Sequence, residues 1–382
     1  MNKHKRTYLI LAVILMLGTF FTLGFSNITN NGNPDLVFQP SDLRNPGFTN
    51  GVGWAVGDPV DGYGTILHTT DGGETWERQG TPGEIPDVSL VAAFAIDACN
   101  AWVVGDKSDG FGVILRTEDG GQSWTRQGDT TQIPDIETAA VYAVNKRIAW
   151  VTGSDGLIMH TKDGGETWTR QAQDMAPHYL FMGIYASDAR HVWAVGGIVG
   201  DYPEEIHGII LHSKNSGKTW KQMTYVPNPL APKGGRYLIN VHGLNAKTVW
   251  IVGNGTVQQT TDGGETWQEK VPGVAFFDYN GVFAVNKSTV WVSRDNGGIY
   301  KYDGSQWQEQ LHAYGGYYIL RISALDAQTA WTVGTPQFSG QPGLILHTKT
   351  GGDSWEAQAY GDAIPALSGV SFVKSGYCNP NR

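Results

Sequence analysis

His68-Thr-Thr-Asp-Gly-Gly-Glu-Thr-Trp76 is the stretch of sequence that decides the fold, because the same pattern recurs along the whole chain. Close copies end at Trp124, Trp168 and Trp267. Degenerate copies end at Trp220, Trp307 and Trp355, which makes seven copies in all. In two of the degenerate copies the aspartate is replaced, by Asn215 and by Thr350. Internal repetition of this kind indicates a fold built from repeated units.

A second signature precedes each copy and consists of a tryptophan followed by a short run of strand-forming residues that usually ends in glycine. It occurs at Trp54, Trp102, Trp150, Trp193, Trp250, Trp291 and Trp331. The two series together use all 14 tryptophans of the chain. Duplication of one unit of roughly 40 to 57 residues explains this usage.

Each unit contains four short runs rich in β-forming residues, as at 92–96, 102–105, 112–117 and 123–127. Four strands joined by Gly and Asp turns form one propeller blade, and a blade of this size cannot bury both of its faces alone. The sequence therefore predicts an all-β fold, a seven-bladed β-propeller of four-stranded antiparallel blades.

The C-terminal segment predicts how the ring closes. Residues 364–372 resemble the segments that open other units, at 85–94 and 133–142. We therefore expect a C-terminal strand that pairs into the first blade and removes a free sheet edge. Cys99 and Cys378 then follow equivalent strands in neighbouring blades, and they can form a disulfide if their Cα atoms approach within about 7 Å. The sequence leaves their state open.

The N-terminus has the layout of an export signal. Lys3, Lys5 and Arg6 precede an uncharged apolar run at 8–25. The sequence predicts a signal peptide or N-terminal membrane anchor at 1–26, an Asn-rich linker at 27–36 and the propeller at 37–382. The protein is expected to be exported to a periplasmic, lumenal or extracellular compartment, either secreted or held by an uncleaved anchor.

Charge limits the classes of partner. The net charge is −9, and removal of residues 1–26 takes away three positive charges and no negative ones. An acidic domain is a poor partner for nucleic acid or anionic lipid, so the expected partner is a protein, with a glycan as an alternative. No Gly-rich phosphate loop, Cys/His zinc pattern or nucleophile elbow occurs, and we expect neither a cofactor nor a metal.

The recurring turn, which we call the Asp-box, invites a catalytic interpretation, but a structural one is favoured. Asp accepts backbone N–H bonds and Gly adopts positive φ, as a tight hairpin requires. Copies placed around a ring also cannot converge on one substrate. The structural residues are predicted to be Asp71, Asp119, Asp163, Asp262, Trp76, Trp124, Trp168, Trp220, Trp267, Trp307 and Trp355.

The opposite face of the disc is the predicted binding surface, because the long insertions and the connections between blades lie there. Aromatic and polar residues gathered at one mouth of the channel suit a protein or sugar partner. The alternative is that these rings only fill the channel and pad the blades. The candidate binding residues are His178, Tyr179, Tyr202, Glu204, Glu205, His207, Arg236, Tyr237, Phe277, Tyr279, His312, Tyr314, Tyr317 and Tyr318.

A glycosidase is the enzymatic alternative, because Asp-boxes occur in sialidases and other sugar hydrolases. Such chemistry needs a pair of carboxylates, or a tyrosine nucleophile with arginines that grip the substrate. Arg236, Arg294 and Arg321 are available, but the Arg-Ile-Pro start of the sialidase arginine triad is absent. Catalytic residues are therefore not assigned.

The combined pattern resembles the photosystem II assembly and stability factor family. Clear instances are 101–105 (Ala-Trp-Val-Val-Gly) with 112–124, and 149–153 (Ala-Trp-Val-Thr-Gly) with 156–168. The resemblance covers nearly all of residues 37–377. It implies a non-catalytic lumenal or periplasmic propeller that holds newly made membrane-protein subunits. The family's partner surface is arginine-rich, whereas the nearest basic group here is mostly lysine.

Overall fold

The computed structural model describes residues 51–175, 178–198, 208–224, 237–272, 277–338, 341–358, 364–374, 376 and 378. All of them belong to one compact unit, Asn50–Arg382. The predicted N-terminal segment and the Asn-rich linker lie outside these residues. Within the described part of the chain no helix is long and apolar enough to cross a membrane.

The strands form seven four-stranded antiparallel sheets, so the predicted seven-bladed propeller is confirmed. Blade 1 contains β1 (Gly51–Val60), β2 (Tyr63–Thr69) and β3 (Glu77–Arg78). Blade 2 contains β4 (Leu90–Ala95), β5 (Ala101–Ser108), β6 (Phe111–Thr117) and β7 (Thr125–Arg126). Blade 3 contains β8 (Thr138–Ala143), β9 (Ala149–Gly153), β10 (Ile158–Thr161) and β11 (Thr169–Arg170). Blade 4 contains β12 (Tyr179–Ala186), β13 (Val192–Ile198), β14 (Gly208–Ser213) and β15 (Lys221–Met223).

The remaining blades repeat this order. Blade 5 contains β16 (Leu238–Gly243), β17 (Val249–Gly253), β18 (Thr256–Thr260) and β19 (Gln268–Glu269). Blade 6 contains β20 (Tyr279–Asn286), β21 (Thr289–Arg294), β22 (Ile299–Tyr302) and β23 (Trp307–Leu311). Blade 7 contains β24 (Tyr317–Ala324), β25 (Ala330–Pro336), β26 (Leu344–Thr348) and β27 (Glu356–Ala357).

The C-terminal strand β28 (Leu367–Lys374) closes the ring, as predicted. It pairs antiparallel with β1 from Gly51↔Lys374 to Gly57↔Leu367 and so becomes the innermost strand of blade 1. Both termini of the ring therefore contribute to one sheet, and the edge of β1 that would otherwise be free is paired.

Hydrogen bonds distinguish the two faces of the disc. In blade 2 the Asp-box turn lies beside the turn between the first and second strands, because Gly120 N donates to Cys99 O at 2.9 Å. On the other face, Gly112 N at the start of the third strand donates to Pro134 O, just before the next blade, at 3.1 Å. We call these the Asp-box face and the loop face.

Tryptophans form the core between blades. The second-strand indole of one blade meets the Asp-box indole of the next edge to face, as in Trp102–Trp168 at 5.7 Å between centroids and Trp193–Trp267 at 6.0 Å. All seven second-strand tryptophans are among the largest fully buried side chains. Such aromatic pairs stabilise a fold by about 0.5–1.5 kcal/mol beyond the burial of their area. The repeated tryptophans therefore hold neighbouring blades together.

Candidate functional site

The Asp-box aspartate is fully engaged in its own turn. Thr69 Oγ1 donates to Asp71 Oδ1 at 2.7 Å, while Thr75 N donates to Oδ1 at 3.0 Å and Thr75 Oγ1 to Oδ2 at 2.6 Å. Gly73, which has a φ of 91°, donates its N–H to Thr69 Oγ1 at 2.8 Å. Side chains and backbone thus close a hairpin that leaves the carboxylate few lone pairs for a ligand.

Two of the degenerate copies, those with Asn215 and Thr350, form the same turn without an acid. Asn215 accepts the N–H of Thr219 at 2.9 Å and donates Nδ2 to Thr219 Oγ1 at 2.8 Å. Thr350 Oγ1 accepts the N–H of Ser354 at 2.9 Å. An amide and a hydroxyl can therefore replace the carboxylate in this turn, which supports a structural role for the Asp-box.

Histidines cover several of the buried second-strand tryptophans. His160 stacks on Trp150 at 4.6 Å and His212 on Trp193 at 3.6 Å between ring centroids. Burial lowers the pKa of both histidines to about 4. Both rings are therefore neutral near pH 7 and act as flat packing surfaces rather than as acids or bases.

The candidate binding residues that the structure describes divide into three groups by exposure. His178 and His312 are exposed, whereas Tyr179, Phe277, Tyr314 and Tyr318 are half-buried. Tyr237, Tyr279 and Tyr317 are buried. Tyr202, Glu204, Glu205, His207 and Arg236 lie outside the described residues. The structure thus leaves fewer of these aromatic rings accessible than the sequence suggests.

Two of the buried tyrosines serve as loop anchors. Tyr279 donates its hydroxyl to Pro272 O at 2.8 Å, and Tyr317 donates to Pro342 O at 3.1 Å. Tyr317 also meets Tyr314 edge to face at 5.8 Å between centroids. For Tyr279 and Tyr317 these contacts favour the alternative role as packing residues.

Sequence reasoning missed two exposed apolar side chains on the loop face. Among the described residues, the exposed large hydrophobics are Met175, with 40% of its surface accessible, and Phe338, with 64%. Met175 lies in the connection between β11 and β12, and Phe338 follows β25. Both connections belong to the loop face. Single apolar residues inside polar loops give no periodic signal, so the sequence alone could not single them out.

Carboxylates at the loop-face ends of the second strands have raised pKa values. Asp106 follows the glycine that ends the Trp102 motif, and burial, with Glu137 and Asp58 nearby, raises its pKa to about 7. Asp58 occupies the same position in blade 1 and accepts the hydroxyl of Ser89 at 2.8 Å. The shared fourth position after the tryptophan could have revealed this group in the sequence.

A second acidic pair lies in blade 6. Asn254 Nδ2 donates to Asp278 Oδ1 at 2.7 Å, and Asp295 N donates to Asp278 O at 2.9 Å. Burial raises the pKa of Asp278 to about 7, and the charge of Asp295 adds to the shift. Burial also raises the pKa of Asp295 to about 6. Both acids are therefore partly protonated near neutral pH.

The arginines do not form a shared binding site within the described residues. Arg294 packs over the ring of Phe277 at 4.1 Å and donates Nε to Asn296 Oδ1 at 2.7 Å. Arg321 instead lies on β24 and lines the central channel. In the part of the chain that the structure describes, no group of three or more His, Cys, Asp or Glu residues could hold a metal ion.

The fold and its turn chemistry define a seven-bladed Asp-box β-propeller. Residues 84–178 match the family model described as photosynthesis system II assembly factor YCF48, which confirms the family resemblance over that part of the chain. No curated protein sequence matches the chain.

Solved structures with the same fold include members of that family. One structure, described as YCF48 bound to D1 peptide, has a TM-score of 0.58 and 19% identity and covers 79% of this chain and 89% of its own. YCF48 from Cyanidioschyzon merolae has a TM-score of 0.56 and 18% identity, with coverage of 78% and 96%. The match to an ancestral GH74 enzyme has a TM-score of 0.52 and 16% identity, and the matched region covers 75% of this chain and 38% of that enzyme's chain. At these identities the structural similarity establishes the fold.

Proposed function

We propose that this protein is an exported, non-catalytic scaffold that binds a protein client through its loop face. The observation that carries the proposal is the location of Met175 and Phe338, the large hydrophobic side chains that the described residues expose. Exposed apolar side chains are a feature of protein-binding surfaces. The Asp-box face carries hairpins whose polar groups are already paired.

The relatives support the class of client. A YCF48 structure is described as bound to D1 peptide, so a related propeller accepts a peptide segment. We infer that the client here is a segment of a membrane-protein subunit, met after export. The disulfide between Cys99 and Cys378 fits an oxidising compartment. Cell fractionation tests the location, and recovery in the cytosol would contradict it.

Capture from the membrane fraction of the source organism tests the proposal. The unaltered protein should retain a defined membrane polypeptide, and Phe338→Ser and Met175→Ser should each weaken retention several-fold, because each removes exposed apolar contact area. Glu166→Ser, at an exposed position of an Asp-box, is the matched control and should bind normally. Equal retention by all the variants would place the binding surface elsewhere.

A glycosidase is the second candidate, and the Asp278–Asp295 pair is the observation that favours it, because paired acids with raised pKa values suit general acid catalysis. However, Asp278 is 7% accessible and already accepts a hydrogen bond from Asn254. We therefore expect no sugar release from a panel of polysaccharides. Sugar hydrolysis by the unaltered protein that is lost in Asp278→Asn would show that the protein is a glycosidase and would contradict the scaffold proposal.

A further inference from the structure

The inner strands place a belt of aromatic rings around the central channel. In each blade the inner-strand residue opposite the second-strand tryptophan belongs to this belt, as in Phe94↔Trp102 and Tyr142↔Trp150. The seven belt residues are Phe94, Tyr142, Tyr185, His242, Phe283, Ser323 and Ser371. Successive aromatic members lie 4.3–5.3 Å apart between centroids, so five rings form one arc and two serines complete the circle.

Two residues earlier on each inner strand lies a ring of mostly small residues. Its members are Ala92, Ala140, Gly183, Asn240, Gly281, Arg321 and Gly369. The inner strands approach closely here, because a Cβ on Gly369 would lie 2.8 Å from the Cα of Ala92 and one on Gly183 would lie 3.0 Å from the Cα of Asn240. Only Asn240 and Arg321 extend long polar side chains at this level.

Among the residues that the structure describes, Arg321 has no carboxylate partner. Its Nη1 donates to the carbonyl oxygens of Leu320 at 3.0 Å and Asn280 at 3.2 Å. No ion pair joins the guanidinium to any acid of the described residues, and none of the described residues that line the channel cavity is Asp or Glu. Burial lowers the pKa of Arg321 to about 10, so the side chain remains charged at neutral pH. The side chain is half-buried in the channel.

Other polar side chains of the channel already accept a hydrogen bond from a backbone N–H group. Ser371 Oγ accepts from Ala95 N at 2.9 Å, and Ser323 Oγ accepts from Phe372 N at 3.0 Å. His242 Nδ1 accepts from Ala284 N at 3.1 Å. Burial lowers the pKa of His242 to about 4, so the neutral ring carries its proton on Nε2.

The side-chain oxygen of Asn240 also accepts a backbone hydrogen bond. Its Oδ1 accepts the N–H of Val241 at 2.7 Å, which leaves the two amide protons on Nδ2 as donors. The residues lining the cavity therefore include one guanidinium, one amide, one imidazole N–H and the three hydroxyl groups of Tyr142, Ser323 and Ser371, all able to donate. A site lined by donors and a single positive charge favours an anion and disfavours a cation.

We propose that the central channel binds one small carboxylate at Arg321, with the aromatic belt packed around its apolar part. The cavity of about 100 Å³ leaves room for a carboxylate and a few further heavy atoms. A planar carboxylate matches the planar guanidinium fork, since two parallel N–H···O bonds can form at once. This site is separate from the client surface and does not depend on the proposed function.

Thermal unfolding of the whole protein at pH 7 and constant ionic strength tests the proposal, with acetate compared with acetamide. Acetate should raise the melting temperature in a saturable way, because a ligand that binds only the folded state stabilises it. Acetamide has nearly the same shape but no charge and should leave the melting temperature unchanged. Equal effects of the two compounds would overturn the proposal.

Three variants locate the site. Arg321→Gln should abolish the acetate effect, while Arg147→Gln, an exposed arginine of the Asp-box face, should retain it. Asn240→Asp keeps the acceptor for Val241 N but places a negative charge among the residues that line the cavity, so it should weaken acetate binding at least about 10-fold by repulsion. If Arg321→Gln fails to fold, the Asn240→Asp result decides. Unchanged acetate binding in either folded channel variant would contradict the proposal.

Discussion

Cys99 is joined to Cys378 by a disulfide, and the two Cα atoms lie 4.9 Å apart. Cys99 lies between β4 and β5 in blade 2, whereas Cys378 follows β28, the strand that completes blade 1. The bond therefore connects two neighbouring blades across 279 residues of sequence and fixes the C-terminal strand in place. The ring is therefore closed in two ways, by hydrogen bonds between β28 and β1 and by this covalent bond.

Removal of the disulfide should destabilise the ring. We expect the double variant Cys99→Ser, Cys378→Ser to lose about 2–5 kcal/mol of unfolding free energy, because the open chain gains entropy on unfolding. Denaturant titration under oxidising conditions measures the loss. The reduced wild-type protein serves as the control and should match the variant. Equal stability of the oxidised protein and the variant would contradict a role in closure.

The Asp-box should tolerate an amide but not an alanine. Asp262→Asn should cost less than about 1 kcal/mol, because Asn215 forms the equivalent turn, whereas Asp262→Ala should cost about 1–2 kcal/mol through lost turn hydrogen bonds. Thermal unfolding at pH 7 measures both. Large and equal losses in the two variants would show that the charge itself matters.

Acid should destabilise the unaltered protein, which has Asp262, more than the Asp262→Asn variant. The hydroxyl of Thr266 and then its N–H hold the pKa of Asp262 at about 2, below its usual value near 3.8. A lowered carboxyl pKa contributes stability that is present above about pH 4 and is lost as the pH falls towards 2. Asp262→Asn should lack this component, so its unfolding curve should depend less on pH in that range.

Recurrent features could be predicted from the sequence, and isolated features could not. The Trp54 series and the Asp-box turns repeat in every unit, so their spacing predicts the blades, and residues 364–372 predict the closing strand. Side-chain direction on the inner strands is harder to predict, because a β-bulge interrupts each pairing, as between Ile319 and Arg321 in blade 7. Alternation alone therefore could not place Arg321 in the channel or Tyr317 in the core.

Buried histidines should make the blades sensitive to mild acid. Burial holds the pKa of His160 at about 4, below its unfolded value near 6.5, so the unfolded chain binds more protons between those values. Stability should therefore fall as the pH drops from about 6.5 to 4.

Another blade of the same chain suggests the variant that tests this pH dependence. Gln259 pairs with Trp250 in blade 5 at the position where His160 pairs with Trp150. His160→Gln should reduce the slope of melting temperature against pH between 6.5 and 4. His178→Gln, at an exposed position, is the control and should keep the original slope. A parallel pH profile for His160→Gln and the unaltered protein would refute the assignment.

Neutralising Asp106 should stabilise the protein at alkaline pH. Burial and the nearby Glu137 and Asp58 raise its pKa to about 7, so the folded state carries an unfavourable charge above that pH. A raised carboxyl pKa means that stability increases as the pH falls through 7 towards the unfolded value near 4. Asp106→Asn should gain about 1–3 kcal/mol of unfolding free energy at pH 8 and much less at pH 5.

Asp109→Asn is the control, because it removes the exposed ion pair with Arg126 at 2.8 Å and should not gain stability. A loss of stability in Asp106→Asn at pH 8 would show that the buried charge is stabilised by its surroundings.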